Sequence, residues 1–173
     1  MKGYKGATSQ VVVSPQLEVI THEPEPTQTL EPFEIVLVHG SCHTADCWHH
    51  FQESFAQAGY RSLAINLRGH GNSQGRESVL RNHLQDYVSD VEQVVREKVS
   101  RPFVLVGHSV GGYVVQSYLY QAELPRPAGT VLLASPTIAQ VQQARPDIKT
   151  ILPYSGLFLR MAITGNARAL YPT

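Results

Sequence analysis

The residues best able to do chemistry lie in one pentapeptide, Gly107-His108-Ser109-Val110-Gly111. A serine flanked by small residues, placed between an apolar run and a helical pattern, can project its hydroxyl from a sharp strand-to-helix turn. That geometry serves nucleophilic attack on a carbonyl, so Ser109 is the candidate nucleophile. Acyl transfer also needs donors for the oxyanion that develops. The backbone N–H of Val110, directly after the serine, is one candidate. The second comes from the loop after an earlier strand, where His39-Gly40-Ser41 follows the run Phe33–Val38 and Ser41 is the natural donor. His39 is itself open to two readings, a general base or a side chain that holds this loop in shape, and the second is preferred. Gly40, Gly107, His108 and Gly111 complete the supporting motif.

A second cluster, Cys42, His43, Asp46, Cys47, His49 and His50, offers donor atoms that metals use. Its spacing matches no structural zinc pattern, and on a helix His49 and His50 stand about 100° apart. The sequence therefore predicts loop and helix polar residues there, with no metal and no cofactor.

These residues need a scaffold, and the apolar pattern supplies one. Phe33–Val38, Arg61–Leu67, Phe103–Val106 and Thr130–Ala134 read as solid apolar strands, as expected for strands buried on both faces. Between them lie three helical patterns. The first runs from Ala45 to Ala58, with Trp48, Phe51, Phe55 and Ala58 as its stripe, Thr44 as N-cap and Gly59 as stop. The second runs from Val79 to Lys98 with Leu80, Leu84, Tyr87, Val88, Val91, Val94 and Val95 inward, and the third from Val110 to about Glu123. Alternation of this kind predicts an α/β fold, a mostly parallel sheet flanked by helices. Three segments follow: 1–32 with two short strands (Gln10–Val13 and Leu17–Thr21) and a Pro/Glu-rich loop, a core at 33–136, and helical pieces at 137–173.

Composition narrows the partners. Lys plus Arg and Asp plus Glu number 14 each, so zero net charge gives no electrostatic reason to expect nucleic acid. No segment approaches the ~18 consecutive apolar residues that span a bilayer. The N-terminus holds no signal-peptide core, and two cysteines five apart make no disulfide framework. A cytoplasmic location is the expectation.

The three motifs HGS (His39–Ser41), RGHGNS (Arg68–Ser73) and GHSVGG (Gly107–Gly112), each closing an apolar strand, resemble the α/β-hydrolase fold family. The resemblance covers about Phe33 to Pro136 and is nearest to the lidded esterase-, thioesterase- and epoxide-hydrolase-like branch. It implies that the four strands are strands three to six of an eight-stranded sheet, and that the start of a lid lies in 137–173. A serine at the nucleophile position resembles the family's esterases, lipases and peptidases, so a small-molecule acyl substrate is implied. One position departs from the family pattern: Asn66 stands where an acidic residue is often found, and it is read as structural. The family orders its triad serine, acid, histidine, yet all eight histidines here precede Ser109. The sequence is thus expected to lack the acid and base and to form an incomplete version of the fold, with His70 and His43, on loops that in the family open toward the active-site mouth, as candidate substitutes for the base. An apolar sheet edge at Thr130–Ala134 would then be open to self-association. Two functions follow: a serine hydrolase of small esters acting through a Ser109 acyl-enzyme, or a non-catalytic relative that binds a ligand or partner protein.

Overall fold

The computed structural model describes residues 15–24, 28–41 and 43–139. It holds one five-stranded sheet: β1 (Val19–His22), β2 (Glu34–Val38), β3 (Arg61–Ile65), β4 (Phe103–His108) and β5 (Gly129–Leu133). The spatial order is β1-β3-β2-β4-β5, with β1 antiparallel and every other pair parallel. Helices α1 (His49–Gln57), α2 (Leu84–Lys98) and α3 (Val110–Leu119) connect the parallel strands. The α/β class read from the sequence is the observed one.

The apolar runs of β2, β3 and β4 follow from burial on both faces, whereas the run at β5, expected to be buried likewise, is largely exposed among the described residues. All five residues of β2 are buried, and they alternate between two cores. Val36 and Val38 join Leu63, Ile65, Phe103 and Leu105 beneath α2 and α3, where Val88, Val91, Val94, Val95, Val114, Val115 and Tyr118 close the packing. Ile35 and Leu37 face the other way, with Ala64, Val106, Ala45 and Trp48. Neither period of the strand has a wet face, so neither tolerates a polar residue without partners. Glu34, fully buried at the start of β2, has them: the Ser100 N–H and hydroxyl and the Arg61 guanidinium at 3.2 Å.

Three expectations need correction. The first helical segment opens as a 3-10 turn, Ala45–Trp48, and becomes α-helical only at His49. Three residues per turn instead of 3.6 shift the phase of everything downstream. The buried face is therefore Trp48, Gln52 and Ala56, while Phe51 is 50% exposed. Gln52 survives inside because its amide donates to Ile20 O at 3.0 Å and contacts the Ser62 hydroxyl at 3.3 Å, tying α1 to β1 and β3. Thr44 does sit at the N-cap position, but its hydroxyl donates to Asp46 Oδ2 and not to the backbone. Gly59 ends this segment with φ of 88°, as read.

The second correction concerns the helix expected from Val79. Residues Arg76–Arg81 form a separate 3-10 turn, the chain extends at Asn82 and His83, and α2 begins at Leu84. The Asp86 carboxylate accepts the His83 N–H at 2.7 Å and marks the start. Leu80, placed in the stripe by periodicity, is 75% exposed. Third, α3 stops at Leu119, four residues before Glu123. At the N-terminal end the second expected short strand is β1, shifted to Val19–His22. The expected strand Gln10–Val13 and most of 137–173, with the expected lid, lie outside the described residues. Among the described residues β5 pairs only with β4 and exposes Val131 and Leu132.

Candidate active site

Parallel register brings the three motifs to one edge of the sheet. Val38 pairs with Ile65 on one side and with Gly107 on the other, so the loops that follow β2, β3 and β4 emerge side by side. Ser109 stands at the junction of β4 and α3 with φ of 52° and ψ of −120°. A non-glycine residue in that region carries strain of about 1–3 kcal/mol. The conformation persists because its surroundings fix it. The Ser109 N–H donates to Leu133 O at 2.9 Å, and its carbonyl accepts from Gly112 and Tyr113 at 3.0 and 3.3 Å.

The glycines around it are dictated by space. A Cβ on Gly107 would lie 2.5 Å from Gly112 Cα, and one on Gly111 would lie 2.4 Å from His39 O. Gly40 is nearly as tight, with its missing Cβ site 3.2 Å from the Ser109 Cβ. The loop after β2 and the first turn of α3 thus meet backbone to backbone, flanking the serine. The Val110 and Gly111 N–H groups belong to that first turn, where a helix offers its own donors no acceptor. Among the described residues, the Ser109 hydroxyl has no hydrogen-bond partner, and no imidazole is brought to it.

The histidines are committed elsewhere. His39 is 1% exposed; Nδ1 lies 2.7 Å from its neighbour's carbonyl, Gly40 O, and Nε2 lies 3.2 Å from the Leu67 N–H. The assignment that satisfies both is a neutral ring with the proton on Nδ1. Burial, and then the nearby His70, push its pKa down to about 3. His70 spans Arg68 O and Ser41 O, at 3.1 and 3.4 Å. His43 packs edge-on against His108 at 5.4 Å, and partial burial, then His108, lower its pKa. His108 also meets Trp48, whose buried indole N–H has no acceptor among the described residues.

Two supports were not legible from the motifs. Asp90 is fully buried in α2, where its oxygens take the Arg68 N–H and Nε–H, each at 2.8 Å; its pKa is raised by burial, against the pull of Arg68. Together with Asp86 it pins the glycine-rich turn to the helix. A carboxylate inside a valine stripe was the available signal. The other support is Glu18, whose carboxylate accepts the Asn72 N–H and amide and the Asn66 amide at 2.6–2.9 Å. Those donors, Asn72 first, hold it below the usual carboxylate range.

Asn66 is the hub of this loop. It is 2% exposed, its Oδ1 accepts the Ala45 N–H at 2.7 Å and its backbone carbonyl accepts the Ser73 hydroxyl. Replacing Asn66 by Asp sets two carboxylates 2.6 Å apart and deletes a donor. The variant is expected to lose about 1–3 kcal/mol at pH 7. Part of that loss returns as pH falls toward about 4 and one carboxyl takes a proton. Urea unfolding at the two pH values measures both.

Of the metal-type cluster, Cys42 lies outside the described residues. Cys47 is exposed, and partial burial of its thiol with Asp46 alongside raises its pKa to about 11. No helix among the described residues is long and apolar enough to cross a membrane.

A parallel sheet with a serine in strained backbone at the end of a central strand defines the class of α/β-hydrolases. The chain belongs within it to the family described as serine aminopeptidase, S33, whose model matches residues 33–168. It is 32% identical over 108 residues to a monoacylglycerol lipase of Mycolicibacterium smegmatis, covering 60% of this chain and 38% of that one. It is 32% identical over 139 residues to a non-heme haloperoxidase of Rhodococcus erythropolis, covering 79% and 49%. Among solved structures, Est816, described as an N-acyl homoserine lactone degrading enzyme, superposes with a TM-score of 0.64 at 21% identity. That match covers 87% of this chain and 52% of the other, and it speaks for the fold alone. The chain spans less than half the length of the two curated relatives.

Proposed function

We propose that this chain carries the nucleophile half of a serine hydrolase acting on small esters or related acyl compounds. Ser109 Oγ gives up its proton to solvent and adds to the carbonyl, and the N–H groups of Val110 and Ser41 receive the oxyanion. Collapse of the adduct breaks the ester C–O bond and releases the alcohol, which takes a proton from water, leaving the acyl-enzyme. The observation that carries this reading is the backbone of Ser109, a non-glycine residue at positive φ that three crowded glycines hold in place. Strain at a residue with a reactive side chain is typical of a functional turn. Membership of the family and resemblance to a lipase support an acyl substrate.

His39, Gly40, Gly107, His108 and Gly111 keep the two loops in register. No described imidazole reaches the serine, so Ser109 depends on the oxyanion donors and on electrophile reactivity. In subtilisin, loss of the catalytic histidine lowers kcat by about 10⁶ and leaves about 10³–10⁴ over water. Turnover of ordinary esters by this polypeptide is expected to be correspondingly slow.

A fluorophosphonate probe tests the assignment, because it reports a single attack and needs no deacylation. Slow covalent labelling of the folded chain, abolished in Ser109→Ala, is the expected result. Folded protein that stays unlabelled, or labels equally well as Ser109→Ala, removes the nucleophile and leaves the non-catalytic, ligand- or partner-binding reading.

A further inference from the structure

We infer that His49, His50 and Glu53 on α1, with His22 at the end of β1, form a surface site for a divalent transition metal, Zn2+. The inference is independent of Ser109. The first three residues each offer one ligand atom, and those atoms all lie within 4.8 Å of one another. His49 Nε2 is 3.3 Å from Glu53 Oε1, and His50 Nδ1 is 3.1 Å from Glu53 Oε2. Adjacent ligands around a tetrahedral zinc with bonds of about 2.0–2.1 Å stand about 3.3 Å apart. The two separations are hydrogen-bond lengths and are also close to that spacing, so an ion could take the place of the shared protons with little movement.

Helical geometry puts His49 and Glu53 at i and i+4, and His50 and Glu53 at i and i+3, so one carboxylate serves both rings. That is why two histidines set about 100° apart by the helix still converge: their rings lie 5.3 Å apart, centre to centre. His22 comes from a different element, and its ring sits edge-on to His49 at 5.9 Å, centre to centre.

The chemistry selects the ion. Imidazole nitrogens with one carboxylate suit zinc and its neighbours in the first transition row, whereas calcium and magnesium prefer all-oxygen shells. A metal shared by His22 and α1 would clip the edge strand β1 onto the helix that packs beside it.

Zinc titration by calorimetry at pH 7.5, on the full chain and on a Cys42→Ser/Cys47→Ser form, tests the site. One saturable ion per chain is expected in both, with an upward shift of Tm on binding. His49→Ala and Glu53→Gln, both at exposed positions, should each weaken binding at least about tenfold, since even outer-shell losses cost 10–100-fold. His22→Ala should weaken it and shrink the Tm shift measured at the same zinc concentration. Absence of saturable binding overturns the site, as does binding that survives in His49→Ala or is lost with the cysteines. Unchanged affinity in His22→Ala overturns the clip between β1 and α1.

Discussion

Alanine at position 111 is expected to destabilise the fold by about 3 kcal/mol or more, although it adds one methyl group in a helix that should welcome it. By propensity alone the change would help, since glycine within a helix costs roughly 0.5–1 kcal/mol relative to alanine. Nor does the backbone forbid it, as Gly111 is not among the residues at positive φ. The penalty comes from what the methyl meets: His39 O at 2.4 Å, Val38 O at 2.5 Å and Val38 C at 2.9 Å. These are main-chain atoms at the end of a strand paired on both sides, so no side-chain rotation relieves the clash. Either α3 moves off the sheet or the loop after β2 moves away from Ser109. Both outcomes separate Val110 from Ser41, so probe labelling is expected to fall with stability. Gly129→Ala is the matched control. The nearest atom there is a Val104 methyl carbon at 3.7 Å, ordinary contact, and the change should be neutral or mildly stabilising. Urea midpoints at constant m separate the two. A Gly111→Ala protein as stable as Gly129→Ala would show that α3 has room to withdraw.

The contrast between what could be read from residues and what could not follows from which interactions are local. Phe33–Val38 announced itself because a strand between two parallel neighbours has no wet face. Gly107 and Gly111 announced the elbow because only glycine fits where helix and strand backbones touch. The stripe of α1 was misread because a 3-10 turn precedes it, and periodicity carries no information on where the helical phase begins. Leu80 was misplaced for the same reason at the next junction, where Asn82 and His83 break the pattern. Arg68 with Asp90, and Glu18 with Asn66 and Asn72, were invisible because the partners stand 22, 48 and 54 residues apart. For His39 the sequence favours a ring that holds the loop over a general base, but it does not show the ring's neighbours. The structure fills both ring nitrogens.

That burial of His39 carries an acid sensitivity with a definite sign. Its folded pKa lies near 3 against a reference of 6.5, so the unfolded chain binds the proton first as pH falls. Stability from this group is complete above 6.5 and drains away as pH drops toward 3. At 1.36 kcal/mol per pH unit the interval amounts to roughly 4–5 kcal/mol. A large share of a small domain's stability is at stake, since the usual total is about 5–15 kcal/mol. Burial disfavours the imidazolium first, and two contacts add to that. Nε2 accepts the Leu67 N–H and would become a donor facing a donor, and His70, His43 and His108 stand close enough to repel a charge. Other groups titrate in the same range with different signs. Glu18 also loses its contribution on acidification, whereas Asp90, its pKa raised by burial against the pull of Arg68, shifts stability in the opposite sense as it takes a proton. The His39 share is therefore read as a difference between wild type and His39→Gln, which keeps polar atoms and cannot titrate. The variant should be less stable at pH 7.5 and show a shallower loss of stability between pH 6.5 and 4. Equal slopes in the two proteins would place the proton uptake at another residue. A steeper wild-type slope, accompanied by parallel loss of probe labelling, would identify the β2 loop as the part that fails first.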